Sequence, residues 1–195
     1  MSTALQRITA DEYLAFDRAA ERPHELIAGI VYRRADANFR HCMISSNVMG
    51  TVGNALKATP FRVYAPQMRV RASANVFLYP DLTIGFGQPE SVDQHNDILV
   101  SPRIIFEVFS PETELRDRGI KFEHYRSIPS LQTYVLVGQD LAIVECYIRL
   151  PEQEGWMLTD AQGLDSVIQI PGVEIELPLR EVYDRVEFPM PEGVG

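Results

Sequence analysis

The most constraining stretch of the sequence is the run Arg103-Ile-Ile-Phe-Glu-Val-Phe-Ser110, which is apolar almost throughout. Side chains alternate between the two faces of a β-strand, so this run is apolar on both faces except at Glu107. A sheet would bury such a strand, and an ionised carboxylate inside it is costly unless something compensates the charge. The run therefore predicts a buried strand with one acid that needs a partner.

Strand-like segments fill much of the remaining chain and alternate with a few helical ones. Thr9-Ala-Asp-Glu12 fits a capping box ahead of a helix over 10–20. Further helices are predicted over 40–57, 112–127 and 179–183, and an antiparallel meander over 133–159. We expect an α/β fold on the border with α+β, in which one mixed, strand-rich sheet is flanked by helices. The length of 195 residues suits one domain, 1–195, with an extended and mobile tail from about residue 187.

The charge of the chain limits how it could meet a polyanion. The net charge of −9 argues against a protein that coats nucleic acid through bulk electrostatics. Residues 1–75 nevertheless hold ten Lys and Arg against six Asp and Glu, so a positive surface would come from this half. The candidates for substrate contact are Arg33, Arg34, Arg40, Arg62, Arg69 and Arg71, and for each of them the alternative is a scattered, solvated arginine.

The sequence also limits the compartment and the cysteine chemistry. No apolar run approaches the length of a membrane span, and the amino-terminal residues have no hydrophobic signal core, so we expect a cytoplasmic protein without a membrane partner. Cys42 and Cys146 are too few and too far apart for a disulfide framework or a zinc site. Both are predicted to be small buried apolar side chains.

A second acid opens another strand in Tyr79-Pro-Asp81. Two carboxylates on neighbouring strands can hold a hard divalent cation such as Mg²⁺, although an edge Asp and a strand Glu paired with Arg would give the same pattern. Lys121, on the helix after the strand of Glu107, could point to the same site. It could equally form a surface pair with Asp117, four residues before it. Phosphate-loop, nucleophile-elbow, dinucleotide and HExxH motifs are missing from the sequence.

Several of these residues recur in a known order. The segments are Glu25-Leu-Ile-Ala-Gly, His41, Tyr79-Pro-Asp81, Glu107-Val-Phe-Ser-Pro-Glu-Thr, Asp117-Arg-Gly-Ile-Lys121-Phe-Glu-His-Tyr125 and Ile128-Pro-Ser-Leu-Gln-Thr-Tyr-Val-Leu-Val137. In this order the chain resembles the large bacterial family of “putative restriction endonucleases” called Uma-two (Uma2). The resemblance covers residues 5 to 187, and the family belongs to the PD-(D/E)XK nuclease superfamily.

The resemblance implies a restriction-endonuclease-like core in which Asp81 and Glu107 bind Mg²⁺ or Mn²⁺. In the superfamily the third element stands two residues beyond the second acid, and here that position is Phe109. The family takes its lysine from the next helix instead, which in this chain is Lys121. With this resemblance, the backbone carbonyl of Val108 is a further expected metal ligand. Glu25 is the expected supporting acid, although it could equally orient Arg or Lys groups.

The implied activity is Mg²⁺-dependent endonucleolytic hydrolysis of nucleic acid, DNA being the expected substrate, by a homodimer. The expected substrate contacts are His41, Arg33, Arg34, Arg69 and Arg71. For His41 the alternative is a histidine on a helix whose ring only binds a neighbouring backbone group. Two other interpretations stay open. One is a binding or regulatory protein that keeps the nuclease fold with weak or lost activity, and the other is a metal-dependent hydrolase of smaller phosphate compounds.

Overall fold

The computed structural model describes residues 7–90, 92–152 and 155–189. The helices are α1 (Ala10–Ala19), α2 (Phe39–Ala55), α3 (Phe122–Tyr125) and α4 (Leu179–Val182), and a π-helical turn, Arg116–Lys121, leads directly into α3. The first seven strands are β1 (His24–Ile27), β2 (Ile30–Arg33), β3 (Phe61–Tyr64), β4 (Arg69–Ser73), β5 (Val76–Leu78), β6 (Leu82–Phe86) and β7 (Ile98–Leu99). The remaining strands are β8 (Pro102–Phe109), β9 (Thr133–Gly138), β10 (Ile143–Arg149), β11 (Trp156–Gln162), β12 (Val167–Ile170) and β13 (Ile175–Pro178).

The strands of the described residues form three sheets. A six-stranded mixed sheet has the order β11-β10-β9-β8-β6-β3, and its β8–β9 pair is parallel. A five-stranded sheet has the order β2-β1-β5-β4-β7, and β12 and β13 form a separate hairpin. The mixed α/β architecture with flanking helices is confirmed, but the expectation of one sheet is wrong. Alternation along a strand shows which residues are buried and does not show which strands pair.

The six-stranded sheet is covered on both faces, as the apolar run of β8 predicts. One face packs against α2, the β12–β13 hairpin and α4, through residues that include Ile44, Val48, Ile104, Phe106, Leu177 and Val182. The other face packs against α3 and the five-stranded sheet, through residues that include Val70, Leu78, Ile105, Phe109, Tyr125 and Tyr134. Glu107 thus points from the second face of β8, toward the layer that contains α3.

The capping box predicted for α1 is present. The Thr9 hydroxyl accepts the Glu12 N–H at 3.3 Å, and the Glu12 carboxylate accepts the Thr9 N–H at 2.7 Å. Strands β1 and β2 form a hairpin, which turns at Ala28 and Gly29, both with positive φ. Glycine adopts such backbone angles at no steric cost, which is why the chain can reverse there.

The structure also bears on the expected absence of a membrane span and on the predicted carboxyl-terminal tail. No helix among the described residues is long and apolar enough to cross a membrane. Residues 187–189 have no regular secondary structure, but the Phe188 ring packs against Tyr183 with a centroid distance of 5.2 Å. The remainder of the predicted tail lies outside the described residues.

Candidate active site

Asp81 and Glu107 lie side by side on neighbouring strands. Asp81 directly precedes β6, and the antiparallel register in which Leu82 faces Phe106 brings Asp81 beside Glu107. The Asp81 N–H donates to the Phe106 carbonyl at 3.1 Å, and Asp81 Oδ2 accepts the Val108 N–H at 2.8 Å. Both carboxylates are buried. The main chain on either side of Glu107 therefore fixes the position of Asp81.

The ammonium of Lys121 lies among three carboxylates. Lys121 comes from the π-helical turn, and its Nζ is 2.9 Å from Glu107 Oε1, 3.3 Å from Asp117 Oδ1 and 3.7 Å from Glu25 Oε1. Burial by itself lowers the pKa of Lys121, but the carboxylates, Glu107 foremost, outweigh it and raise the pKa above its usual value. The geometry thus keeps a buried positive charge next to Glu107.

Glu107 is held in an environment that resists its ionisation. Burial raises the pKa of Glu107 to about 8 against the opposing charge of Lys121, and Asp117, Asp81 and Glu25 raise it further. The Tyr125 hydroxyl donates to Glu107 Oε1 at 2.8 Å, the same oxygen that Lys121 contacts. From the described residues, Oε2 receives no hydrogen bond, so one oxygen of this carboxylate is left for another ligand.

Asp81, in contrast, is held in its charged form. Its Oδ1 accepts from Arg34 Nη2 at 2.7 Å, and its Oδ2 is 3.1 Å from His41 Nε2. Burial alone raises the pKa of Asp81, but the contacts with His41, Arg34 and the Val108 N–H outweigh burial and hold the pKa below its usual range. The two neighbouring acids therefore differ in proton affinity, an arrangement that is common at catalytic sites.

Glu25 connects three parts of the site. Its Oε1 accepts the N–H of Tyr79 at 3.2 Å, two residues before Asp81, and its Oε2 accepts from Arg116 in the π-helical turn. The guanidinium of Arg116 also lies over the ring of Tyr32, 5.2 Å from its centroid. Glu25 thus ties the first hairpin to the segments that carry Asp81 and Lys121.

These groups line one cavity of about 610 Å³. Its walls carry six Asp and Glu side chains against four Arg and Lys side chains: Glu25, Asp36, Asp81, Glu107, Glu112 and Asp117 against Arg22, Arg34, Arg116 and Lys121. Such a lining would repel a phosphate unless a cation offset the excess of negative charge. The cavity is therefore suited to a cation that accompanies an anionic substrate.

The donor set fits a hard divalent cation held by few protein ligands. No group of three or more His, Cys, Asp or Glu side chains within the described ranges is placed to hold a metal ion by itself. Mg²⁺ commonly binds through one or two carboxylates, with water and substrate phosphate completing its coordination. Asp81 and Glu107 are such a pair of neighbouring carboxylates, although both oxygens of Asp81 already have hydrogen-bond partners in the structure.

The structure brings some of the predicted site residues together and not others. Glu25, Arg34, His41, Val108 and the three predicted catalytic residues line the cavity. Arg33 lies outside the lining and donates to Asp36 at 2.6 Å. Arg40 and Arg62 bind Asp140 and the Gly87 carbonyl, also away from the lining.

The structure does not bring Arg69 and Arg71 to the cavity. Both belong to β4 of the five-stranded sheet. Arg69 is buried, and its guanidinium donates to Asp17 and to Asp97, at 2.8 Å in each case. It therefore neutralises buried acids inside the fold, and its charge is not available at the surface.

Three residues of the site are ones that the sequence pattern does not assign to it. Nothing in the sequence distinguishes Arg116 from a surface arginine. For Asp117 the spacing predicts only a surface pair with Lys121, and the pair exists but is buried. Tyr125 has the spacing of a core residue; it is buried, and it also donates to Glu107. The signal that could have placed Asp117 and Tyr125 in the site is their helical spacing from Lys121, four residues before and after it.

Comparisons with known proteins show the family of the chain. The Uma2 family model, described as “Putative restriction endonuclease”, matches residues 10–180. Two Synechocystis sp. proteins are similar to the chain. Uncharacterized protein sll1609 is 28% identical over 86% of this chain and 95% of its own length. Uncharacterized protein slr1290 is 21% identical over 96% of this chain and 97% of its own length.

A solved structure shares the fold. The crystal structure of a “putative nuclease belonging to DUF820” from Anabaena variabilis aligns with a TM-score of 0.74 and 19% sequence identity. The alignment covers 90% of this chain and 97% of that one. Together with the family match, which spans most of the sequence, it completes the assignment: the chain belongs to the Uma2 family of “putative restriction endonucleases”.

Proposed function

We propose that the protein is an endonuclease that hydrolyses phosphodiester bonds of nucleic acid, DNA in particular, with Mg²⁺ or Mn²⁺. The observation that carries this proposal is the convergence of Asp81, Glu107 and Lys121 in one cavity, with Lys121 Nζ 2.9 Å from Glu107 Oε1. A pair of acids beside an ammonium is suited to phosphoryl chemistry, in which negative charge grows on the phosphate. Membership of the family supports the same activity.

In this proposal Asp81 and Glu107 hold the cation, with the Val108 carbonyl as a further ligand. When bound, the cation lowers the pKa of a water molecule and neutralises charge on the phosphate. Lys121 orients the attacking water or stabilises the developing negative charge, and its neighbouring carboxylates keep it protonated for this task. Arg34, which is partly exposed in the cavity wall, contacts a phosphate oxygen of the substrate.

Glu25 acts in this proposal mainly by holding Arg116 and the Tyr79 backbone in place. Its two oxygens accept hydrogen bonds from these groups, and Glu25 is not adjacent to Glu107 along the sheet register as Asp81 is, so we propose it as a supporting acid. His41 contacts Asp81 in the structure, and substrate contact by the same ring stays part of the proposal.

The test is a cleavage assay with purified protein and three kinds of substrate: plasmid, single-stranded oligonucleotide and free nucleotides. We expect cleavage of nucleic acid with Mg²⁺ or Mn²⁺ and none with EDTA. Glu107→Gln and Lys121→Ala should each lower the rate by about 100-fold or more, because each removes a charge that acts in the transition state. Hydrolysis of nucleotides alone would instead identify a hydrolase of small phosphate compounds.

Glu123→Gln is the matched control, since Glu123 is an acid on α3 that does not line the cavity. It should cleave at the wild-type rate. Equal cleavage by wild type, Glu107→Gln and Lys121→Ala would show that the activity belongs to a contaminant. Binding of nucleic acid without any cleavage would favour a regulatory protein that keeps the fold.

We further propose that the chain works as a single domain in the cytoplasm and as a homodimer, which would let two copies of the site act on both strands of a duplex. Light scattering on purified protein tests the dimer. A monomer at working concentration, with full cleavage activity, would refute this part of the proposal.

A further inference from the structure

The two most exposed large apolar side chains of the described residues are both flanked in the sequence by residues that line the cavity. Phe39 is 97% exposed and Leu115 is 87% exposed, and the next in order, Phe86, is 59% exposed. Phe39 opens α2 between Asn38 and His41, which line the cavity, and Leu115 lies between two other lining residues, Thr113 and Arg116. Single exposed apolar side chains are common on protein surfaces, so these two are informative only together with the charged groups that lie near them.

Exposed positive charge surrounds Asp36, three residues before Phe39 in the sequence. Arg22 and Arg33 both donate to Asp36, at 2.6 Å each, and their side chains are 60% and 56% exposed. Two guanidinium groups share this one carboxylate, so the group of three carries an excess positive charge. Arg22 and Asp36 also line the cavity, which places this charge at its mouth. An aromatic ring beside exposed cations is the combination with which proteins bind single-stranded nucleic acids.

We propose that Phe39 stacks on an unpaired base of the substrate, while Arg22 and Arg33 contact the backbone on the same side of the cleaved bond. The inference rests on the proposed function and names its substrate class: single-stranded or locally unpaired nucleic acid. A base inside an intact duplex has both faces covered by its neighbours, so an exposed ring can stack only on a base that is unpaired or extruded. Stacking is tolerant of sequence, because every base has an aromatic face.

The position of Phe39 suits a base outside the cavity, away from the cleaved bond. Phe39 begins α2 two residues before His41, whose Nε2 is 3.1 Å from Asp81 Oδ2, and residues two apart on a helix point to different sides of it. Among the described residues the Phe39 ring makes no aromatic contact, which leaves its faces accessible. Leu115 provides a second exposed apolar side chain.

The test measures binding without cleavage. Fluorescence anisotropy in EDTA, and again in Ca²⁺, compares fluorescein-labelled single-stranded oligonucleotides of DNA and RNA with the matching DNA duplex. We expect wild type to bind at least one single strand more tightly than the duplex, and Phe39→Ala to weaken that binding by about tenfold. Phe86→Ala is the matched control, because Phe86 is an exposed phenylalanine at the other end of β6 from Asp81, and it should bind as wild type does.

A spectroscopic signal separates stacking from loss of structure. In Phe39→Trp the new indole should retain single-strand binding, and its emission should be quenched on addition of the oligonucleotide well beyond any change in wild type, whose one tryptophan is Trp156. Equal single-strand affinity in wild type and Phe39→Ala would overturn the proposal. So would preference for the duplex, or conversion of a dimer to a monomer by Phe39→Ala, which would identify a second copy as the partner of the ring.

The outcome is distinguishable from that of the cleavage assay. Single-strand binding that depends on Phe39, without cleavage in Mg²⁺ or Mn²⁺, would support the stacking site and refute the nuclease. Cleavage that depends on Glu107, with binding indifferent to Phe39→Ala, would support the nuclease and refute the stacking site.

Discussion

Lys121→Met removes the ammonium that three buried carboxylates share. Its Nζ lies 2.9 Å from Glu107, 3.3 Å from Asp117 and 3.7 Å from Glu25, and methionine keeps much of the side-chain length without the charge. We expect the free energy of unfolding to fall by about 3–5 kcal/mol, the range for removing one partner of a buried ion pair. A domain has about 5–15 kcal/mol in total, so the loss is a large fraction of the stability.

Urea unfolding in EDTA, followed by circular dichroism, measures the loss. Adding Asp117→Asn to Lys121→Met removes a buried carboxylate charge that has lost its partner, so the double variant should regain about 1–3 kcal/mol relative to Lys121→Met alone. Lys57→Met is the matched control, since Lys57 is the other lysine of the sequence and is exposed. Its stability should stay within about 0.5 kcal/mol of wild type.

The pH dependence of the same variant depends on Glu107. Its pKa in the folded protein, about 8, is above its ordinary value of 4.5, so the folded state binds this proton more tightly than the unfolded state does. Stability from this group is present below pH 4.5 and is lost as the pH rises through about 8. Without Lys121 the free-energy cost of ionising Glu107 in the folded protein is larger. The loss of stability caused by Lys121→Met should therefore be larger at about pH 8 than at about pH 5.

Two results would refute this reasoning about the buried cluster. One is a deficit below about 1 kcal/mol for Lys121→Met, because a surface pair has that magnitude. The other is a double variant with a lower free energy of unfolding than Lys121→Met. That result would mean that removing a buried carboxylate without a partner does not stabilise the protein.

Two further predictions concern residues away from the cavity. Arg69→Met should lower the free energy of unfolding by about 3–5 kcal/mol in urea, because Asp17 and Asp97 lose their shared partner. Arg71→Met, the control, breaks no salt bridge among the described residues and should lower it by under about 1 kcal/mol. Equal losses would contradict the structural role of Arg69. A thiol reagent at mildly alkaline pH should modify Cys42 rapidly in the native protein, because Cys42 is exposed. Cys146 should react only after unfolding, because it is buried and burial raises its pKa to about 12. Rapid modification of both thiols in the native protein would contradict the burial of Cys146.

The sequence predicted the parts of the fold that depend on neighbours along the chain. The Thr9–Glu12 capping box, the two-faced apolar strand around Glu107 and the helix after that strand are all local patterns, and all three are present. The expectation that Cys42 is buried is wrong, because Cys42 lies on the exposed side of α2. That expectation came from the residue type alone: the buried residues Ile44, Val48 and Val52 recur every four positions, which puts Cys42 on the other side of α2.

The contacts that depend on distant parts of the chain were harder to predict. Arg69 looks like any surface arginine in the sequence, and only the fold reveals that Asp17 and Asp97 surround it. The division of the strands into separate sheets is also long-range, since β1 pairs with β5 across about fifty residues of sequence. The placing of Asp81 beside Glu107 was expected from the family resemblance and a generic argument about neighbouring strands, not from any local pattern.

The π-helical turn at Arg116–Lys121 restricts how this part of the gene can vary. A π-turn accommodates one residue more than an α-helical turn, and such insertions often occur at functional sites. If the same residues adopted ordinary α-helical geometry, the extra residue would rotate Lys121 and α3 by about 100° relative to the preceding strand. Lys121 would then leave the carboxylates even though every side chain of the cluster was still encoded. Substitutions at exposed positions of the turn should therefore be tolerated far better than an added residue, which would rotate Lys121 away from the carboxylates by about 100°.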